Sequence, residues 1–518
     1  MGGAETVKRW LILMLTLSLI LAAAAGCAKE EKEPQPVEIP KSVGNPLVGV
    51  DGEGNLTYGG DPSVLVVGDT LYLYVGHDVS TNNDYNIPEY LCYSTKDLKS
   101  WTYEGVVLNM KDVSWGTADA AWAGQCARHY DEAAGKDRYY FYFCSWDKTD
   151  SGKQSIGVAV SDSPTGPFTD IGAPVVKGSF TTDESSAWND IDPTVWIETG
   201  KDGEEHRYLC WGNSKLYICE LNEDMVSVKD VNGDGKVTMN KDVVSKIIPD
   251  GFTEAPWLYR RQDENGEYYG PYYLFYAQAW RERMAYATFE GDDLLGDYVV
   301  FEKRIMAPSA TSNTNHMAVF DFLGKTWFIY HNGSLPYGSG YRRVACIEEL
   351  RFDENGGVIP MEETAAGPFG TVSTLTAANG SVLQHAHFVN SGDDADYPYT
   401  RVALGSGLAD AEALDGQWEI VQGKADADDV YAVSIESQNK AGLYITVSDA
   451  GVYLAQDWDG KQAAAQTFKT VEGLAGEGVS FESVLKPGLY LTLTDGALIL
   501  TDGGDAQAAT FTVGTVEG

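Results

Sequence analysis

One phrase written five times between residues 68 and 333 constrains this chain more than any other feature. The copies are Gly68–His77 (GDTLYLYVGH), Gly135–Cys144 (GKDRYYFYFC), Arg207–Gly212 (RYLCWG), Pro271–Ala277 (PYYLFYA) and Gly324–His331 (GKTWFIYH). Most open on a turn, and all carry an aromatic strand and a polar exit, the pattern of a short strand bounded by turn residues. Ahead of each copy stands an anchor: Asp61-Pro62-Ser63, Trp122-Ala123, Asp192-Pro193-Thr194, Glu254-Ala255-Pro256-Trp257 and Asn315-His316. Their key positions, 61, 122, 192, 254 and 316, are 61, 70, 62 and 62 residues apart. Third strands follow most copies, as in Ile156–Val160 and Met284–Ala287. Four strands per unit and five even units predict an all-β, five-bladed β-propeller. A long sandwich would not require that spacing.

A second repeat lies beyond residue 375. Val433–Ser437 with Gly442–Thr446 returns as Val479–Ser483 with Gly488–Thr492, an offset of 46, and units close at Gln417–Ile420, Thr467–Thr470 and Thr510–Val513. Three closures predict a β-trefoil-like domain with a degenerate first copy. The expected division is a propeller over 44–372 and a trefoil-like binding module over 373–518.

The N-terminus reads as an address. Lys8 and Arg9 precede an apolar run, Trp10–Ala25, too short for a comfortable membrane span. Ala24-Ala25-Gly26-Cys27 resembles a bacterial lipobox, so residues 1–27 are expected to be a signal peptide with Cys27 lipidated. Residues 28–43, charged and Pro-containing, then form a solvated tether. The expected location is the cell surface, with the membrane contacted through the lipid anchor alone. With 76 acidic against 37 basic side chains, a formal charge of −39, nucleic acid is excluded as a partner. The six internal cysteines (92, 126, 144, 210, 219 and 346) lack metal-site spacing and are expected as buried free thiols.

A propeller gathers the starts of its innermost strands around one axial pit, so Asp61, Asp192 and Glu254 are expected to meet there although far apart in sequence. Pro62 and Pro193 are expected to hold the preceding aspartates extended. Clustered acids raise one another's pKa, which lets one stay protonated and donate while another activates water, the division of labour in glycoside hydrolysis.

These residues carry a resemblance. Asp61-Pro62-Ser63, Ile191–Thr194, Phe252–Trp257 and Ile156–Phe168 (IGVAVSDSPTGPF) are similar to glycoside hydrolase family 43 over residues 44–370. The resemblance implies an inverting mechanism with Asp61 as general base, Glu254 as general acid and Asp192 tuning and orienting the acid. Base and acid should then stand roughly 6.5–9.5 Å apart. It implies no cofactor for the chemistry, with His316 beside a structural calcium ion held largely through water. Trp122, Trp188, Trp257 and Trp280 either stack on sugars or pack within blades, with Trp122 and Trp257 favoured by their place beside anchors. His77, Arg283 and His316 are expected to bind substrate, and Arg342 binds hydroxyls, orients a carboxylate or faces solvent.

Asp230–Val237 (DVNGDGKV) looks like the front of a calcium loop, but Lys241 holds the twelfth position and Asp242 comes one late, which favours a Gly-rich turn. The trefoil resembles arabinose-binding domains through GVSFES, PGLYL and ATFTV, with Asp457 and Asp502 as its polar candidates. The resemblance implies an exo-acting α-L-arabinofuranosidase on arabinoxylan, arabinan or related plant polymers. The alternatives are a β-xylosidase of the same family and a non-catalytic glycan-binding lipoprotein.

Overall fold

The computed structural model describes residues 33–516 except 151, 182–185, 387–400, 410 and 495. Cys27 and the signal segment lie outside the described residues.

The five repeats become five consecutive antiparallel sheets. Their innermost strands are Gly59–Val67, Gly124–Asp131, Thr194–Thr199, Glu254–Gln262 and Ala318–Phe322. The aromatic phrases form the second strands: Thr70–His77, Lys136–Trp146, Glu205–Trp211, Tyr268–Gln278 and Lys325–Asn332. These strands do not alternate. Tyr139 to Ser145 is buried without interruption, because each blade is covered on both faces by its neighbours and the apolar cores sit between blades.

The fifth sheet departs from the expected four strands. Among the described residues it has three, ending at Val344–Glu349. Its free edge is covered by the N-terminal segment, where Leu47 N–H donates to Ala345 O at 2.9 Å and Asn45 exchanges hydrogen bonds with the backbone of Ile347. The ring is thereby closed by chain from its opposite end, which covers that edge.

The C-terminal domain is a closed six-stranded barrel. Val372–Ala377, Trp418–Gln422, Ala432–Ser437, Phe468–Gly473, Gly476–Ser483 and Phe511–Thr515 pair in that order, and the last returns to the first. Hairpins Leu443–Ser448/Gly451–Gln456 and Tyr490–Thr494/Ala497–Thr501 are matched by the short pair Gln384–His385/Leu404–Gly405. This is the trefoil, with the degenerate first unit expected.

Two expectations about this region are corrected. Residues 35–42 are not a solvated tether. Val37 N–H donates to Thr470 O at 3.0 Å, Ser42 N–H to Ile420 O at 2.7 Å, and Ile39 packs on the trefoil core. Apolar residues interleaved with the prolines give the segment something to bury, which composition alone concealed. Asp457 is not a sugar-facing group either. It is buried where the domains meet: its carboxylate accepts from Gln462 N–H, and its carbonyl from Tyr337 N–H at 2.7 Å. Asp502 remains exposed and caps its own turn. All six cysteines are buried and free.

Candidate active site

Asp61, Asp192 and Glu254 line one pit of about 400 Å³ at the hub of the propeller. The backbone aims them by a device other than the one expected. Asp61 and Asp192 are not extended; their φ values are 52° and 59°, and Ala255, next to Glu254, has 57°. Left-handed backbone at a non-glycine residue is strained and persists where surroundings hold it. Strand register slips between Gly60 and Ser63 and again between Glu254 and Trp257. A bulge with a left-handed residue turns a side chain that would lie in a blade core toward the axis.

The strain is held by hydrogen bonds. Asp61 N–H donates to His331 Nδ1 at 3.1 Å, while His331 Nε2 faces Thr314 O at 3.0 Å, so the ring is the neutral Nε2–H tautomer. Asp192 Oδ2 accepts Ala255 N–H at 2.9 Å, tying the third anchor to the fourth.

The cation of the site is Arg343, which leads into Val344–Glu349. Its Nη1 donates to Asp61 Oδ1 at 2.6 Å, and Nε and Nη2 donate to the two oxygens of Asp78 at 2.9 Å each. Gly60 makes room for it, since a Cβ there would sit 2.2 Å from the guanidinium carbon. Sequence reasoning singled out Arg342, one residue away. Neighbours in extended chain face opposite ways. Arg342 is therefore turned outward onto the Tyr337 ring at 4.0 Å and the Asn82 carbonyl at 3.0 Å, buried and neither solvent-facing nor in the pit.

Opposed protonation follows from this layout. Burial pushes the Asp61 carboxyl up, but Arg343, followed by His331 and His316, together outweigh it and hold the group below the ordinary aspartate range. Glu254 is raised by burial and then by the charge of Asp61, against a hydrogen bond from Asn213 Nδ2 at 2.8 Å. Asp192 is raised well above its usual value by burial and by Glu254 and Asp61. The pit thus favours the charged form of Asp61 and the protonated forms of Glu254 and Asp192.

His316 sits between them, its Nδ1 4.0 Å from Asp61 Oδ1 and 3.9 Å from Asp192 Oδ2. Burial lowers its pKa to about 4, leaving a neutral ring. Calcium takes about six to eight oxygen ligands. Asp61 is committed to Arg343 and Asp192 to a backbone N–H, and among the described residues no group of three or more His, Cys, Asp or Glu side chains is placed to hold a metal. The described residues offer no set of direct protein ligands for an ion, and the expected calcium, held largely through water near His316, is not shown. In the Asp230 loop, Lys241 Nζ pairs with Asp234 at 3.1 Å, and Asp242 accepts from Val231 and Thr238 within the turn.

Of the predicted aromatics, Trp122, Trp188 and Trp280 line the pit. Trp122 is half-buried against Tyr85, and Trp188 and Trp280 stand at the rim, 50% and 64% exposed. Trp257 does not reach it. The bulge after Glu254 sends it into the inter-blade core, where Nε1 donates to Val319 O at 2.9 Å. His77 pairs with Glu89 at 2.9 Å outside the pit lining, and Arg283, half-buried, is likewise not part of that lining. Arg343, Asp78, Asn213, Tyr85 and Glu282 were not foreseen as site residues. Only Asp78, beside His77, carried a local signal.

A carboxyl whose charged form is favoured and another whose protonated form is favoured, lining one sugar-sized pit with a tryptophan rim, are equipment for breaking a glycosidic bond with water, and glycoside hydrolases are the class this site defines. The sequence pattern of glycosyl hydrolases family 43 matches residues 57–358, more than half of the chain, and the chain belongs to that family. The α-L-arabinofuranosidase B domain matches residues 381–513, the trefoil. Among curated relatives, a β-D-galactofuranosidase of Aspergillus niger is 29% identical over 54% of this chain and 76% of its own. A xylosidase/arabinosidase of Bacteroides ovatus is 29% identical over 59% of this chain and 95% of its own. An arabinoxylan arabinofuranohydrolase of Bacillus subtilis is 24% identical over 77% of this chain and 80% of its own.

Proposed function

We propose that this enzyme removes α-L-arabinofuranosyl side groups from arabinoxylan or a related plant polysaccharide with inversion of configuration. The observation that carries the mechanism is the meeting of Asp61, paired with Arg343, and Glu254, without such a cation partner among the described residues, in one pit, which favours the charged form of the first and the protonated form of the second. Glu254 donates its proton to the leaving oxygen as the bond from the anomeric carbon breaks. Asp61 takes a proton from the water that attacks that carbon from the other face. Asp192, bonded to Ala255 N–H, holds the backbone beside the acid. The carboxyls at the floor and the tryptophans at the rim suit a terminal sugar inserted from a larger chain. The matched α-L-arabinofuranosidase B domain and the named activities of the relatives favour arabinofuranose.

Nitrophenyl α-L-arabinofuranoside should be cleaved faster than nitrophenyl β-D-xylopyranoside, and NMR should show the inverted anomer released from an arabinoxylo-oligosaccharide. Faster xyloside cleavage would reassign the sugar; retained configuration would sink the mechanism. The rim predicts a second result. Trp280→Ala should lose about tenfold more kcat/KM on arabinoxylan than on the nitrophenyl glycoside, the scale of one aromatic stacking contact. Equal losses on both substrates would place Trp280 outside chain recognition.

A further inference from the structure

The trefoil reaches the catalytic pit through one loop of the propeller. Residues 333–343 join the last two strands of the fifth blade and deliver Arg343 to Asp61. Gln456 ends the trefoil strand Gly451–Gln456 and is 2% exposed. Its Nε2 donates to Gly333 O at 2.7 Å and to Gly338 O at 3.0 Å, and both glycines are buried. The next carbonyl, that of Asp457, accepts Tyr337 N–H at 2.7 Å. Tyr337 stands between the two glycines with φ 60°, a left-handed backbone that a bulky residue keeps only where its surroundings hold it. The fit is close, since a Cβ on Gly442 would lie 2.7 Å from Ser334 Cα.

The held loop is tied in turn to the site. Tyr337 O accepts Arg342 Nε at 2.6 Å, and Arg342 Nη1 donates to Ser80 O at 3.3 Å and Asn82 O at 3.0 Å. Tyr337 Oη donates to Thr81 O at 3.0 Å. These bonds fix the first-blade loop that carries Asp78, the other partner of Arg343, and Tyr85, a wall of the pit. Tyr341 packs on the Tyr85 ring at 4.7 Å. The titratable groups facing Asp61 and Arg343 are Asp78, Tyr85, Asp192, Glu254, His316 and His331; both imidazoles are neutral, which leaves Arg343 as the cation.

The trefoil's own repeat separates what the barrel needs from what this contact needs. Glu436 Oε1 accepts Gly442 N–H at 2.5 Å, and 46 residues on Glu482 Oε1 accepts Gly488 N–H at 2.7 Å, the same cap in both units. The residue 46 positions beyond Gln456 is Asp502, which is exposed and caps its own turn. The buried amide therefore answers to the propeller loop and not to the barrel. Among the described residues none of the trefoil lines the pit, so a small substrate held there does not touch that domain.

We propose that Gln456 is a positioning residue of the active site supplied by the trefoil, holding the 333–343 loop in the shape that sets Arg343 against Asp61. The role rests on the reading of Asp61 as general base. Without the amide, two buried carbonyls lose their donor and Tyr337 keeps only the bond to Asp457. The loop relaxes, Arg343 loosens, and Asp61 is held less firmly in its charged form. The C-terminal domain thereby takes part in hydrolysis whether or not it grips a polysaccharide.

The test is steady-state kinetics of the full chain on nitrophenyl α-L-arabinofuranoside across pH. Gln456→Met keeps the length of the side chain and removes both donors. Its kcat/KM should fall about tenfold, the scale of two lost hydrogen bonds. The acid limb should move toward neutral pH by about half a unit or more. Gln456→Asn, a shorter donor, should fall between parent and Gln456→Met, and Gln456→Ala removes the same donors if Gln456→Met does not fold. Unchanged rates and an unmoved acid limb in the folded variants overturn the proposal. So does a loss confined to arabinoxylan, which would assign the contact to polymer binding. A loss on the nitrophenyl glycoside with the acid limb in place overturns it too, because general support of the fold would act that way. Arg343→Met measured alongside separates the two failures: if its acid limb stays in place, the reading of Asp61 falls. If that limb moves while the limb of Gln456→Met does not, only the link through the trefoil falls.

Discussion

Glu254→Gln is expected to lower kcat on arabinoxylo-oligosaccharides by about 10²–10⁴-fold, the usual contribution of a positioned general acid, with KM little changed. The amide keeps the size of the side chain and the contact with Asn213 Nδ2 through its oxygen, so sugar binding survives. What is lost is the proton. On a nitrophenyl arabinofuranoside the same change should cost far less, because that leaving group departs without help. The parent enzyme should lose activity at alkaline pH as Glu254 ionises, above the ordinary glutamate value because burial and Asp61 raise it. Steady-state rates on the two substrate types check this; undiminished turnover of the oligosaccharide would refute the role.

Arg343→Met is expected to cost about 3–5 kcal/mol of stability, since it strands Asp61 and Asp78 as buried anions without a cation. In the parent protein Asp61 is depressed, so its contribution to stability is present above the unfolded-state pKa and is lost as pH falls through the lower folded value. Asp78, which burial raises in spite of Arg343, works in the opposite sense. Without the guanidinium both carboxyls move up, and folding then takes up protons. The stability deficit should therefore be largest near neutral pH and shrink as pH falls. Asp61 would no longer be ionised at mildly acidic pH, so the acid limb of kcat/KM should rise toward neutral. Denaturant melts at several pH values together with the pH–rate profile test both parts; a constant deficit and an unmoved acid limb would show that Arg343 does not set the charge of Asp61.

Much of this architecture was legible before any coordinates. The aromatic phrase recurs because every second strand meets the same environment, a sheet covered on both faces, and selects the same residue types each time. The trefoil repeat was readable for the same reason. The three anchor acids were legible because they stand at blade period ahead of those strands. Side-chain direction was harder. Arg342 and Arg343, Glu282 and Arg283, and Glu254 and Trp257 are all close neighbours of which one faces the pit, and a single bulge reverses which one. Pro62 and Pro193 pointed to extended aspartates, while the strained backbone at Asp61 is held by His331, 270 residues away, and Asp192 is tied to Ala255, 63 residues away.

The order of the chain settled how many blades form, where the barrel begins and which acids stand ahead of the repeats, since periodic burial writes a periodic pattern into composition. Which acid is ionised is not written there. A pKa depends on the charges within a few ångströms, and the groups around Asp61 and Glu254 include Arg343, His331, Asn213 and Glu282, brought together by closure of the ring from places far apart in the chain. The docking of residues 35–42 on the trefoil belongs to the same category, because the strand they lie along is more than 400 residues later in the sequence.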